Sequence, residues 1–388
     1  MMTSTEKVKK ELLEFCKARD YQIYKSFPII PKDNDLLFVS ASITPFKDLL
    51  VSGNNPKNIA LIQKCVRAGG GAYSLEEINK SNYCNTFFEM FGCIIFNQIH
   101  NEVIAFLFDL LNFINIDKNK FYFTIPLNDA RFKKSLIDNG ISESKIFELS
   151  GNNIFWTTWR FGKDSLIGQG ITAIYSRSEN KISDAKKMIE EEDIYIPLFN
   201  VICVDKKEDN GTIESLNHIG FDVAIGIERL AAIMQDCNHY QTDIIKPKLL
   251  IVKSFFKKRG IKISEAEIKI ITDYLRTAEV IIGEGVVPHK NKQGYVLRKI
   301  IRSVMEIIFI NDKGILDIDE LLQKFYAKNN SNEQIEILIQ IIKSEKNIFL
   351  INIDKIKNRI YNLKMNEKQI RETYGISPKL LKYIRENN

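Results

Sequence analysis

The sequence predicts an α+β protein, an antiparallel sheet flanked by helices and followed by a mainly helical domain. Three observations carry this expectation. The stretch Ile62 to Gly92 reads as two antiparallel strands joined by a long loop, the first ending at Arg67 before Gly69, Gly70 and Gly71, the second running through Thr86, Phe87, Phe88, Glu89 and Met90. Asn210-Gly211 is a strong two-residue hairpin signal. From about residue 245 the chain turns into helical segments rich in Ile and Lys. With 388 residues there is room for two domains, read as 1–244 and 245–388.

Taken in order, residues 4–19 form a helix that Ser4 or Thr5 can cap, with Val8, Leu12, Leu13 and Phe15 along one side. Leu36 to Ser40 reads as a strand followed by a turn. In the Ile62–Gly92 pair, an arginine and a carboxylate on paired strands, with aromatics between them and flexible backbone beside them, suit an ATP site. Arg67 can grip phosphate with a planar fork. Phe87 or Phe88 can offer a face to a purine, and Glu89 can accept from an adenine amino group or order the loop. The bland alternative is hairpin punctuation beside a core Phe pair. NEVIAFLFDLLNFI from residue 101 reads as an apolar helix and KFYFTIPL from residue 120 as a strand, both scaffold. A charged helical stretch from Asp184 leads into a strand that ends at the Asn210-Gly211 turn. In IGFDVAIGIERLAAIMQD a strand carries Asp222, a glycine turn follows, and a helix begins near Gly226. Arg229 then stands in its first turn, and Asp222 can hold an ammonium group by a charge-assisted bond. Arg298, Lys299 and Arg302 form a basic helical face suited to a phosphate backbone.

Composition sets the outer bounds. Hydrophobic residues make up 45% and charged residues 27%, as in soluble globular chains. A net charge of +6 permits an anionic partner such as RNA without requiring one. Cysteines at 16, 65, 84, 93, 203 and 237 form no CxxC pair, and the 4 histidines show no metal spacing, so free thiols in a reducing compartment are expected and a bound structural metal is not. The first residues are amphipathic and charged rather than a signal peptide, and no apolar run approaches a bilayer span. The cytoplasm is the expected location, and no membrane partner is expected.

CVRAGG followed by TFFEMFG resembles motif 2 of the alanyl-tRNA synthetases, a class II family, and Asp222 to Arg229 resembles motif 3. The segment 271–305, with GYVLRK, resembles that family's tRNA-recognition region. The resemblance implies a class II synthetase-like sheet, ATP and Mg²⁺ as cofactors, and alanine or another small amino acid and a tRNA acceptor stem as partners. It implies that Arg67 and Arg229 are catalytic, neutralising the α- and γ-phosphates, with Phe88 and Glu89 in the ATP site. It places Trp156, Asn200, Asp222 and Ala224 around the amino acid, and Lys292, Arg298, Lys299, Arg302 and Glu372 against tRNA.

The chain also departs from the family pattern. Ser40-Ala41-Ser42-Ile43 stands for Asn-Ala-Gly-Met, so Ile43 replaces a wall residue. Ala173 stands for a glutamate, Ala224 for a glycine, Gly71 for the motif 2 lysine and Cys84-Asn85 for His-His. The base-reading asparagine is Lys292, with Asn291 one place earlier, and its partner aspartate is Glu372. The resemblance spans nearly the whole chain but only the catalytic and acceptor-stem-binding half of the family architecture, without editing and C-terminal domains. The departures leave room for two other expectations: a paralogue activating an amino acid for a different carrier, and a non-catalytic RNA-binding or regulatory protein on the same fold.

Overall fold

The computed structural model describes residues 4–32, 36–53, 57–68, 74–78, 80–150, 158–160, 166–209, 211–327, 331–359 and 367–387. These divide into two compact units, Met1–Arg67 with Lys80–Ile244, and Ala68–Asn79 with Ile245–Asn388.

The first unit is built on a sheet of strands β1 (Gln22–Tyr24), β2 (Ile59–Val66), β3 (Phe87–Phe96), β4 (Phe121–Pro126), β5 (Ile146–Leu149), β6 (Thr158–Arg160), β7 (Leu166–Ser176), β8 (Tyr195–Asp209) and β9 (Thr212–Gly226). Their order is β1-β2-β3-β9-β8-β7-β4-β5, with β6 added onto β7. The centre is antiparallel, and one parallel pair closes each edge, β1 on β2 and β5 on β4. The protein is thus α+β with an antiparallel central sheet.

Its helices are α1 (Thr5–Lys17), α2 (Lys47–Ser52), α4 (His100–Phe113), α5 (Ala130–Asp138), α6 (Lys187–Glu190) and α7 (Ile227–Met234); the four-residue α3 (Leu75–Ile78) belongs to the second unit. Helix α1 starts where expected. Ser4 is its N-cap, accepting from the Lys7 backbone N–H, and Val8, Leu12, Phe15 and Cys16 are buried at helical spacing. Strand β3 begins one residue later than expected, at Phe87, and runs on through Phe96. The β8–β9 hairpin closes with Asp209 opposite Thr212, and Gly211 takes the positive φ of 82° that the turn needs.

Leu36 to Ser40 is not a strand. The segment is an irregular bend tied to its surroundings at a few points. The Val39 N–H donates to the Ile29 carbonyl at 2.7 Å, and the Val66 N–H donates to the Val39 carbonyl at 2.9 Å. Single bonds of this kind hold a loop in place without extending a ladder.

Alternation along the strands sorts the two sheet faces. On one face Phe91, Cys93, Phe199, Val201, Val223 and Ile225 pack against Leu12, Leu107, Leu111 and Leu230 of the helices. On the other face two groups of described residues form covers. Ile43, Phe46 and Leu50 cover Leu61, Ile94 and Ile202, and Ala185 and Met188 cover Tyr122, Ile174 and Tyr195. Along β8, Asn200 falls between these two covers.

The second unit is helical: α8 (Lys246–Lys258), α9 (Glu265–Gly283), α10 (Lys292–Asn311), α11 (Asp319–Tyr326), α12 (Asn332–Arg359), α13 (Glu367–Tyr374) and α14 (Pro378–Glu386). Ser264 and Glu267 cap α9 reciprocally. The buried Lys248 ammonium donates to the Phe325 carbonyl and lies 4.5 Å from the Phe325 ring centre. Among the described residues no helix is long and apolar enough to cross a membrane.

Candidate active site

The register builds one continuous row across five strands, Thr172, Asn200, Ala224, Gly92 and Leu61, the last of them under the first cover. Asp222 lies two residues from Ala224 on β9, so its side chain emerges on the same face. Met90 and Phe88 follow Gly92 on β3 in the opposite direction, and Arg67 stands just past the end of β2. One face therefore reads, along the strands, from a carboxylate to an aromatic and an arginine. Gly92 to Phe88 spans about 13 Å at about 3.3 Å per residue.

Each end has its own chemistry. Asp222 is 1% exposed, and its Oδ1 has no hydrogen-bond partner among the described residues. Burial alone pushes its carboxyl up to about 7. At the other end the Arg67 Nε donates to the Ser40 carbonyl at 3.1 Å, and its guanidinium lies 4.8 Å from the Phe88 ring centre. Its backbone N–H donates to Thr86 O at 2.8 Å, which continues the β2–β3 pairing past the strand end. Cys65, Met90 and Ala224 form the apolar floor, with Phe88 and Ala41 packed against it. Asn200 is held by its Nδ2, which donates to Thr172 Oγ1 at 2.7 Å.

Arg229 is in the first turn of α7, where its position in the sequence implies. Its Nη1 donates to Pro197 O at 2.7 Å, its Nε to Tyr83 O at 3.2 Å and its Nη2 to Cys84 Sγ at 3.5 Å. The guanidinium also lies 4.7 Å from the Tyr83 ring centre. Three of its five N–H groups are thereby engaged, which leaves an edge for an anion. The sequence reading missed Glu228. It is 2% exposed, and its two carboxylate oxygens accept the Glu89 backbone N–H at 3.1 and 3.2 Å, fixing the start of β3.

Several expected residues lie elsewhere. Glu89 alternates with Phe88 and Met90, and its carboxylate meets Lys9 Nζ of α1 at 2.8 Å on the helix-covered side. It does not join the aromatic and arginine. Ala173 is fully buried in the core beneath the helices, so a longer side chain there would not reach the strip; Thr172 is its strip-facing neighbour. Ile43 packs into the cover with Phe46 and Leu50, and Ser42 stands over the strip in its place. Trp156, Asn210 and the glycines 69–71 lie outside the described residues.

Among the described residues no three His, Cys, Asp or Glu side chains are grouped to hold a metal ion. Glu89 and Glu228 are engaged as above. Burial raises the Cys65 and Cys93 thiols and pushes Cys203 up to about 12, which leaves these thiols inert.

In the helical unit, Lys292 is exposed at the start of α10 with φ 50°, and the Arg298 guanidinium lies 5.7 Å from the ring centre of Tyr295, itself 48% exposed. Lys299 is half-buried. Arg302 is not on this surface: it is 6% exposed, its Nε donates to Glu345 at 2.5 Å and its Nη1 to Tyr374 O at 2.8 Å. Helical spacing alone would leave Arg302 on the same face as Arg298 and Lys299, and it is the ion pair with Glu345 of α12 that draws it into the packing. Exposed His289 and Lys290 were missed. Gly294 lets their loop approach, because a Cβ there would stand 2.6 Å from His289 Cβ and 2.7 Å from Val287 O. Glu372 lies in α13, its side chain outside the described residues.

A family model described as "tRNA synthetases class II (A)" matches residues 7–386. An alanine–tRNA ligase from Wigglesworthia glossinidia brevipalpis is 28% identical over 405 aligned residues, covering 96% of this chain and 46% of that protein. A mitochondrial alanine–tRNA ligase from Caenorhabditis elegans is 27% identical, covering 77% of this chain and 39% of its own length. The chain thus spans less than half the length of these curated relatives. A pyrrolysyl-tRNA synthetase structure from Desulfitobacterium hafniense aligns with a TM-score of 0.33 at 11% identity over 61% of this chain and 70% of that one, too loosely to carry an argument. A match from residue 7 to residue 386, over a sheet with the strand pair and the strand–glycine–helix segment just described, means that the chain belongs to the class II tRNA synthetase family.

Proposed function

We propose that this chain activates alanine, or another small amino acid, with MgATP and transfers it to the acceptor end of a tRNA. The observation that supports this most is the strip itself. A buried, unpartnered carboxylate at Asp222 and an arginine beside an aromatic at Arg67 and Phe88 share one sheet face, joined by a floor of small and apolar residues. Asp222 would hold the ammonium group, with Ala224 and Asn200 beside it; Trp156, which lies outside the described residues, is proposed for the same site. Phe88 would stack on the adenine. The amino acid carboxylate would attack the α-phosphorus in line and release pyrophosphate, leaving an aminoacyl-adenylate. No protein nucleophile is needed, since positioning and charge stabilisation drive such a step. Arg67 would neutralise the α-phosphate and Arg229 the γ-phosphate. Lys292, Arg298 and Lys299, with Glu372, would meet the acceptor stem. The matched relatives named alanine–tRNA ligase support both halves of this reading.

The test is ATP–pyrophosphate exchange with each of the twenty amino acids, followed by tRNA charging. Exchange with alanine or another small amino acid and charging of tRNA is expected. Absence of exchange by folded protein, with and without tRNA, overturns the enzymatic reading. The replacements at Lys292, Glu372 and Gly71 favour a second reading, transfer to a carrier other than tRNA, which exchange without charging would select.

A further inference from the structure

We infer that Ser42 is a substrate-contacting residue of the amino acid site, its hydroxyl donating to the carboxylate of the bound amino acid while Asp222 holds the ammonium. This inference rests on the function proposed above and extends it to a residue for which the family pattern has glycine.

Ser42 is fully buried, and its Oγ has no hydrogen-bond partner among the described residues. Its backbone N–H donates to the Met90 sulfur at 3.3 Å, which fixes the residue over the floor of the strip. It stands directly above Gly92, where an added Cβ would lie 2.2 Å from Ser42 Cβ and 2.3 Å from its Oγ. Gly92 pairs with Ala224, and the next residue on this face of β9 is Asp222, opposite Ile94. Ser42 therefore overhangs a position diagonal to Asp222, and such diagonal neighbours are about 7–8 Å apart.

Two buried polar atoms on one face, Ser42 Oγ and Asp222 Oδ1, each lack a partner among the described residues and do not bond each other. Buried groups of this kind are normally satisfied, and an orphan is costly. One atom is a hydroxyl that can donate and the other a carboxylate that only accepts when ionised. Their complement is a small molecule with a cationic donor at one end and an anionic acceptor at the other, separated by one carbon. An α-amino acid zwitterion has that form. The reverse assignment would set a carboxylate against Asp222 and is repulsive. Ser42 also adds bulk above Gly92, and the Ala224 methyl adds bulk beside it, which favours a small amino acid side chain.

The test compares Ser42→Ala with the wild-type protein. The readouts are the KM of the amino acid that supports exchange, alanine on the reading above, and the inhibition constant of its amino alcohol, alaninol. The alcohol keeps the ammonium and lacks the carboxylate. The variant is expected to raise the alanine KM about tenfold or more, the scale of a lost hydrogen bond to a charged group. The ATP KM and the alaninol inhibition constant are expected to stay unchanged. Melting temperature is expected to hold or rise, since an orphan buried hydroxyl is removed. An unchanged alanine KM overturns the inference, as does an equal loss for alanine and alaninol, which would place Ser42 on the ammonium. A fall in melting temperature with unchanged substrate constants assigns the hydroxyl to the fold instead and also overturns it. If the wild-type protein supports exchange with no amino acid and binds none, the proposed function itself fails, an outcome distinct from a Ser42 result within an active enzyme.

Discussion

Asp222 couples the site to pH in a way that can be measured. Its folded carboxyl titrates near 7, raised by burial from an ordinary value near 3.8. A raised folded value means that its contribution to stability is complete below about 3.8 and is lost as pH rises through about 7. A gap of roughly three units corresponds to about 4 kcal/mol. Asp222→Asn is therefore expected to raise the melting temperature at pH 8 relative to wild type and to leave it nearly unchanged near pH 4, as differential scanning fluorimetry across pH would show. On the proposed role of Asp222 the same titration would set ligand affinity, because only an ionised carboxylate attracts an ammonium. The amino acid KM of the wild-type protein in exchange is then expected to fall as pH rises from 6 to 8, and a flat profile would count against Asp222 as the ammonium partner. Arg67→Ala is expected to reduce exchange by about 10²-fold or more through lost stabilisation of phosphate charge. Arg67→Lys keeps a charge without the planar fork and is expected to recover only part of it.

The strands and helices give predictions of a different kind. At Gly170 a Cβ would lie 2.0 Å from the Val201 carbonyl oxygen, a backbone atom that cannot swing away. Gly170→Ala is expected to force β7 and β8 apart and destabilise the fold by about 1–3 kcal/mol or more in chemical denaturation. In the helical unit, removing Glu345 leaves the Arg302 guanidinium buried and unpaired, so Glu345→Ala is expected to cost about 3–5 kcal/mol. At this scale the sequence was readable where periodicity and caps are local, as in α1, the β2–β3 pair, the β8–β9 turn and the β9-to-α7 passage. It misled at Leu36–Ser40, where an apolar run is pinned as a loop rather than paired. It also misled at Glu89 and Arg302. Both occur in segments with the right residues, but the facing of each was decided by its neighbours: Lys9 of α1 holds Glu89, and Glu345 of α12 holds Arg302.

For the molecule as a whole, the proposed RNA contact should show itself through salt. Lys290→Ala, Lys292→Ala and Arg298→Ala are each expected to leave stability within about 0.5 kcal/mol, as surface changes do. Each is expected to lower the slope of log affinity against log salt for an acceptor-stem RNA by about one. Arg302→Ala is expected to act through folding instead, and an unchanged salt slope for all three surface variants would place the RNA elsewhere. The fold class followed from the sequence because strand alternation, glycine turns and helix starts are set by neighbours a few residues apart, and the proposed roles of Arg67, Asp222 and Arg229 rest on the same local segments. The strip did not follow from it. Ser42 comes from a loop, Thr172, Asn200 and Ala224 from three strands, and Gly92 from a fourth, and only pairing register brings them into one row. Burial was likewise a tertiary outcome, since desolvation of Asp222 depends on every element packed around it. Local spacing therefore determined which chemistry the chain carries, and the packing of distant segments decided which of those groups meet and in what state of charge.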